Sequence, residues 1–109
     1  MGNDGHVGSL YPKSAQLLNY KSLILPVVKK EGPSPITFSL SMMNSARTVV
    51  VSLTGEKKAA AVKHALETKV AEGEFPGAMV KPNGGRLVWM IDNGAASDLA
   101  AYNGVKALL

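Results

Sequence analysis

Short apolar runs, separated by glycine- and proline-rich breaks, set the pattern of this chain. Residues 23–28 form a compact apolar run, and Gly32-Pro33-Ser34-Pro35 then interrupts the chain. Residues 36–40 alternate between apolar and polar side chains, which is the period of a strand with one buried face. Residues Thr48–Leu53 are β-branched and nearly continuous, and this predicts a strand that is covered on both faces.

Helical periodicity and capping residues predict three helices, and residues 41–46 can form one or two helical turns besides. Ser14 is expected to cap a short first helix that follows the opening loop. A longer helix after Gly55 carries one apolar stripe. The stripe consists of Ala59, Val62 and Leu66. A last helix is expected from Ala95, with Asp92 or Asn93 as its cap.

The order of these elements predicts the fold class. Residues 79–81 (Met-Val-Lys) and the apolar residues 87–91 flank Pro82-Asn83-Gly84-Gly85, in which Asn-Gly is a hairpin signal. Strands and helices alternate along the rest of the chain, as they do in α/β folds. We therefore expect a single segment, 1–109, that forms part of a Rossmann-like, mostly parallel sheet flanked by helices, with a C-terminal hairpin.

Composition narrows the function classes. The 109 residues contain no cysteine, and the two histidines leave little for a metal site. The net charge of +4 suits an anionic ligand, but the lysines are dispersed and only six residues are aromatic, so nucleic-acid binding is not expected. No apolar run approaches the ~20 residues of a membrane span. Met1 is followed by Gly, Asn and Asp, so no secretory signal is visible and a cytoplasmic protein is expected.

The turn Gly2-Asn3-Asp4-Gly5-His6 is the first candidate site. Glycine adopts backbone angles that other residues avoid, so Gly2 and Gly5 allow a tight turn that presents an acid and an imidazole together. An imidazole is the side chain best suited to proton transfer near neutral pH. The alternative is an ordinary Asp-Gly turn, which local sequence alone favours.

Residues 54–58 join the predicted buried strand to the long helix and form the second candidate. Free N–H groups at a helix start favour an anion, and Lys58 adds a positive charge there, so this loop is expected to hold a phosphate through Gly55 and Lys58. The alternative is that Gly55 only eases the turn and the lysines are solvated. His64 is interpreted as structural or solvent-facing, and Asp92 as a cap rather than a base.

Four segments, in order, carry recognisable motifs. They are Gly2-Asn3-Asp4-Gly5-His6 with Ser9-Leu10-Tyr11-Pro12; Ile36-Thr37-Phe38-Ser39-Leu40 with Asn44-Ser45-Ala46-Arg47; Thr54-Gly55-Glu56-Lys57-Lys58-Ala59; and Met79-Val80-Lys81-Pro82 through Gly85-Arg86-Leu87-Val88-Trp89 with Asp92 and Ala95-Ala96-Ser97. They resemble, in turn, G-x-D-G-H…S-L-F-P, I-T-x-x-L…N-A-A-R, T-G-E-x-K-A and L-V-x-P…G-K-L-x-W…D…A-A-S. These motifs are those of the 6-phosphogluconolactonase family, within the glucosamine-6-phosphate isomerase/6-phosphogluconolactonase superfamily.

The chain departs from the family pattern in two ways. Pro35 stands where the family usually has a basic residue before Ile-Thr, which removes one expected anion contact. The family's chain is also roughly twice as long, and the likeness is to its C-terminal half. We therefore expect self-association or pairing with a missing N-terminal half.

The resemblance implies hydrolysis of 6-phospho-D-glucono-1,5-lactone to 6-phosphogluconate in the pentose phosphate pathway, without a metal or cofactor. It implies that His6 is the general base and that Asp4 orients the loop or the substrate. Backbone N–H groups around Gly2 and Gly5 are expected to stabilise the developing oxyanion. Lys58 and the helix start that follows Gly55 are expected to hold the 6-phosphate.

Two other functions are compatible with the sequence. A glucosamine-6-phosphate deaminase or isomerase of the same superfamily is second, because those enzymes follow the G-x-D-G-H turn with an acidic residue, and Ser9-Leu10-Tyr11-Pro12 has none. The third is a non-catalytic, truncated chain that binds sugar phosphates or pairs with another subunit.

Overall fold

The structure is a computed structural model that describes residues 1–100. Within these residues four strands and three α-helices follow one another in mixed order. The strands are β1 (Ile24–Pro26), β2 (Ile36–Phe38), β3 (Thr48–Leu53) and β4 (Arg86–Ile91), and the helices are α1 (Leu40–Asn44), α2 (Ala59–Glu67) and α3 (Asn93–Ala96). Single 3₁₀ turns span Ala15–Leu18, Glu56–Lys58 and Pro76–Met79.

The described strands form two two-stranded sheets. Strands β3 and β4 pair in parallel, with Thr48 opposite Arg86 and Leu53 opposite Ile91. Helix α2 lies between these strands in the chain, as expected for a parallel crossover. The α/β fold with a parallel sheet is thus confirmed. Strands β1 and β2 pair antiparallel, so the described sheets are evenly divided between the two arrangements.

The predicted C-terminal hairpin is wrong. Of the segment before the Asn-Gly pair, Met79 ends the 3₁₀ turn Pro76–Met79, and Val80 and Lys81 belong to no strand. The Asn83 N–H donates to the Asn44 carbonyl at 2.8 Å, and the Arg86 N–H donates to the Arg47 carbonyl at 2.8 Å. The first bond ties the Asn-Gly turn to the end of α1, and the second ties the first residue of β4 to the residue before β3, beside which β4 runs.

Burial of β3 on both faces is also wrong for the described residues. Val51 and Leu53 are buried against Val62 of α2 and Ala95 of α3, whereas Val50 on the opposite face is 51% exposed. Side chains alternate across a strand, and helices cover only one face of this one. The apolar stripe of α2 is buried at Ala59 and Val62, whereas Leu66 is 44% exposed.

The two helix caps behave differently. The Asp92 side chain accepts the Ala95 N–H, so Asp92 caps α3 as predicted, although the helix begins earlier, at Asn93. Ser14 makes no side-chain capping bond, and its hydroxyl is buried without a hydrogen-bond partner among residues 1–100. The first helix is therefore a single 3₁₀ turn without a side-chain cap.

Two core clusters meet beside the first residues of the chain. The first cluster contains Val7, Leu10, Leu17, Leu40 and Val80, and the second contains Val51, Leu53, Val62 and Ala95. Met1 is half-buried and packs against both clusters. The turn that follows Met1 is therefore held at the junction of the core. Across residues 1–100, no helix has the length and apolar character needed to cross a bilayer.

Candidate active site

The turn after Met1 is closed by its own backbone. The Gly2 N–H donates to the His6 carbonyl at 2.9 Å, and the Gly5 N–H donates to the Gly2 carbonyl at 3.0 Å. Gly5 has φ +90°, a conformation that side chains other than hydrogen strongly disfavour. Both glycines are buried, while Asp4 is exposed and His6 partly exposed. The fold thus buries the backbone of the turn and presents its acid and imidazole.

Asp4 and His6 form a tight pair. Asp4 Oδ1 accepts the His6 backbone N–H at 3.0 Å and lies 2.6 Å from His6 Nδ1. The backbone N–H of His6, followed by its ring, lowers the pKa of the Asp4 carboxyl below its ordinary 3.8. An ionised carboxylate only accepts hydrogen bonds, so Nδ1 carries a proton, and in the neutral form of the ring Nε2 keeps a free lone pair. The arrangement leaves Nε2 as a proton acceptor.

Close packing against neighbouring rings leaves no room for a side chain at Gly2 or Gly5. A Cβ on Gly2 would lie 2.2 Å from His6 Cε1 and Nδ1, so the imidazole ring occupies the space that a side chain would fill. A Cβ on Gly5 would lie 2.6 Å from the ring of Phe75. The two glycines therefore fix the ring positions on either side of the turn.

The N–H groups of Gly2 and Gly5 themselves are not free in this structure. Both N–H groups already donate within the turn, to the carbonyls of His6 and Gly2. A backbone N–H has a single hydrogen to give, so neither group is available to a ligand without opening the turn. Their contribution to the site is steric.

Aromatic neighbours of the turn were not predicted from the sequence. The ring of Tyr11 stacks on His6 with 4.7 Å between centroids, and Phe75 packs beneath Gly5. His64 meets Phe75 edge-on at 4.7 Å and is exposed, in agreement with its structural or solvent-facing interpretation. Tyr11 belongs to the motif Ser9-Leu10-Tyr11-Pro12, and its place directly after the turn is the sequence feature that could have indicated its contact with His6.

The second candidate loop begins at the carboxyl end of β3. Gly55 has φ +93°, and its N–H donates to both carboxylate oxygens of Asp92, at 3.0 and 3.1 Å. That N–H is therefore engaged by a protein carboxylate in this structure. No local motif indicates this contact, because it joins residues on different elements.

Lys58 remains the cationic group of this loop. It is half-buried, and no carboxylate within residues 1–100 forms an ion pair with it. In the same described range, no group of three or more potential metal ligands comes together.

The chain shows clear sequence similarity to a known protein family. Residues 1–89 match the profile of the family described as glucosamine-6-phosphate isomerases/6-phosphogluconolactonase. The chain belongs to this family. It is 40% identical over 98 residues to the 6-phosphogluconolactonase of Bos taurus, covering 88% of this chain and 38% of that protein. It is 38% identical over 109 residues to a probable 6-phosphogluconolactonase of Oryza sativa subsp. japonica, covering 94% and 39%.

Solved structures agree on the fold of this family member. The 6-phosphogluconolactonase from Trypanosoma brucei superimposes with a TM-score of 0.75 at 24% identity, covering 92% of this chain and 40% of that one. The enzyme from Leishmania guyanensis gives 0.73 at 22% identity, covering 92% and 39%. The chain thus spans about two-fifths of the length of the relatives it matches.

Proposed function

We propose that this chain carries the proton-transfer site for hydrolysis of 6-phospho-D-glucono-1,5-lactone to 6-phosphogluconate, a reaction of the pentose phosphate pathway. The observation that carries the proposal is the Asp4–His6 pair, with 2.6 Å between Oδ1 and Nδ1. That contact leaves His6 Nε2 as the acceptor for a proton from water. The relatives named 6-phosphogluconolactonase supply the substrate class.

In the proposed reaction, His6 acts as the general base. Nε2 takes a proton from water while the water oxygen bonds to the lactone carbonyl carbon. The ring C–O bond then breaks, and the proton held by His6 passes to the departing ring oxygen, giving the open hydroxy acid. Asp4 stabilises the transient imidazolium and keeps the ring in its tautomer, as the acid of a catalytic triad does.

Lys58 is the proposed anchor of the 6-phosphate. It is half-buried, free of ion pairs within the described residues, and close to the start of α2. A lysine ammonium is a compact charge that commonly binds phosphate. Gly55 shapes the loop that carries Lys58, and Gly2 and Gly5 shape the turn that carries His6. No metal or cofactor takes part in the proposed reaction.

The remainder of the family fold is the proposed partner of this chain. We place residues 1–109 in the C-terminal part of a family member, since their motifs resemble those of the family's C-terminal half; the chain spans about two-fifths of its relatives. Large apolar side chains are exposed on two sheets, including Ile36 at 73%, Phe38 at 54% and Val50 at 51%. Apolar surface of this kind favours association. The cytoplasm remains the proposed location on the sequence alone.

A chimera tests the function directly. This chain replaces the matching part of the Bos taurus relative, and lactone hydrolysis is followed with His6→Ala and, as a matched control, His64→Ala. We expect His6→Ala to lower kcat by roughly 10²- to 10⁴-fold, the usual scale for a lost general base, and His64→Ala to change little. A His6→Ala protein with near-normal turnover contradicts the proposal. Ammonia release from glucosamine 6-phosphate, without lactone hydrolysis, supports the deaminase alternative.

A further inference from the structure

Asp92 joins two segments that are far apart in the chain. Its carboxylate accepts the Ala95 N–H at 2.8 Å, and the same carboxylate accepts the Gly55 N–H at 3.0 and 3.1 Å. Ala95 belongs to α3, whereas Gly55 lies in the loop that leaves β3. One side chain therefore holds that loop to the start of α3.

The contact continues from Gly55 to Lys58. The Gly55 carbonyl accepts the Lys58 N–H at 3.1 Å, which closes the 3₁₀ turn Glu56–Lys58. Gly55 thus connects the two residues: its N–H donates to the Asp92 carboxylate, and its carbonyl accepts the N–H of Lys58. With φ +93°, Gly55 adopts a conformation from which other residues are largely excluded. Displacing the Gly55 N–H therefore displaces the backbone of Lys58.

A second contact holds the loop from the same side. A Cβ on Gly94 would lie 2.9 Å from the Glu56 nitrogen and 3.2 Å from the Gly55 carbonyl carbon. The α3 backbone consequently packs directly against the loop. The N–H groups of Ala95 and Gly55, the first with the larger effect, lower the pKa of Asp92 below its ordinary 3.8, so the carboxylate is ionised at neutral pH.

We propose that Asp92 is a positioning residue for phosphate binding, which fixes the loop at Gly55 and thereby sets where Lys58 presents its ammonium. This inference rests on the proposed function only for the identity of the ligand. Asp92 acts through Gly55 and touches no substrate itself. Asp92 has a structural role as the cap of α3, and its hydrogen bond with the Gly55 N–H gives it the second, positioning role.

Hydrogen exchange tests the loop contact independently of function. Exchange in the segment around Gly55 and Lys58 is measured by mass spectrometry on the whole chain as wild type, Asp92→Ala and Asp92→Asn. Asp98→Asn, an exposed carboxylate just after α3, is the control. We expect faster exchange in Asp92→Ala and partial rescue in Asp92→Asn, which retains one accepting oxygen. Unchanged exchange at residues 54–58 in both Asp92 variants overturns the proposal.

Equilibrium dialysis of 6-phosphogluconate, with unphosphorylated gluconate for comparison, tests the consequence for binding. We expect Asp92→Ala to weaken only the phosphorylated ligand, by about two- to twentyfold. In a Lys58→Ala background the same substitution should have no further effect. An equal loss in that background means that Asp92 does not act through Lys58, and the proposal fails. If the wild-type chain does not distinguish the two ligands, or Lys58→Ala leaves their binding unchanged, the phosphate role of Lys58 fails, while the exchange result still decides whether Asp92 holds the loop.

Discussion

The substitution Gly2→Ala tests the geometry of the acid–imidazole turn most directly. The added Cβ would lie 2.2 Å from His6 Cε1 and Nδ1 and 3.0 Å from Asp4 Oδ1. Ordinary contact begins near 3.4 Å, so the imidazole ring must move by about 1.2 Å. The Asp4–His6 contact is 2.6 Å, and a displacement of that size directed away from Asp4 takes it beyond hydrogen-bond distance.

The expected result is loss of activity with little loss of stability. A misplacement of about 1 Å at a reacting group can cost on the order of 10²-fold in rate, and we expect kcat for lactone hydrolysis in the chimera to fall by that factor. The side chain of His6 is 34% exposed, so the ring has room to move outward without disturbing the core. Circular dichroism on heating checks that the fold is retained.

A matched glycine separates the two effects. Gly84 has φ +66° and open space where a Cβ would be added, so Gly84→Ala introduces backbone strain of about 1 kcal/mol without touching the site. We expect that variant to be less stable but active. A folded Gly2→Ala protein with normal kcat refutes the reasoning. So does a double variant, Gly2→Ala with His6→Ala, that is much less active than His6→Ala alone.

Three further predictions concern the same site and its surroundings. Lys58→Ala should weaken binding of 6-phosphogluconate by about 1.5–3 kcal/mol while gluconate is unaffected, as measured by inhibition; equal effects on both ligands contradict the phosphate role. The folded-state pKa of Asp4 is lowered, so its stabilising contribution is present above pH 3.8 and lost as pH falls through the lower folded value. Melting temperatures measured across the acid range should therefore converge between the wild type and Asp4→Asn. The chain alone should self-associate and hydrolyse lactone slowly or not at all, and a monomer on light scattering with the chimera's activity would contradict this.

Local chemistry was predictable where the interacting groups are close in the chain. Asp4 and His6 are two residues apart, so the glycine-bracketed turn alone brings them together, and the structure places them 2.6 Å apart. Asp92 caps α3 by a contact with Ala95, three residues away. Such contacts depend on short-range backbone geometry, for which residue types carry strong preferences.

Pairings between distant segments were decided by the tertiary structure. The Asn83-Gly84 pair has the local signal of a hairpin, yet β4 pairs with β3, while the N–H groups of Asn83 and Arg86 donate to the carbonyls of Asn44 and Arg47. Asp92 and Gly55 are 37 residues apart in the chain, and neither the motif around Gly55 nor the one around Asp92 indicates that they are in contact. A sequence motif reports the conformation of its own few residues, whereas the partner of a free N–H or strand edge depends on which segments the core brings together.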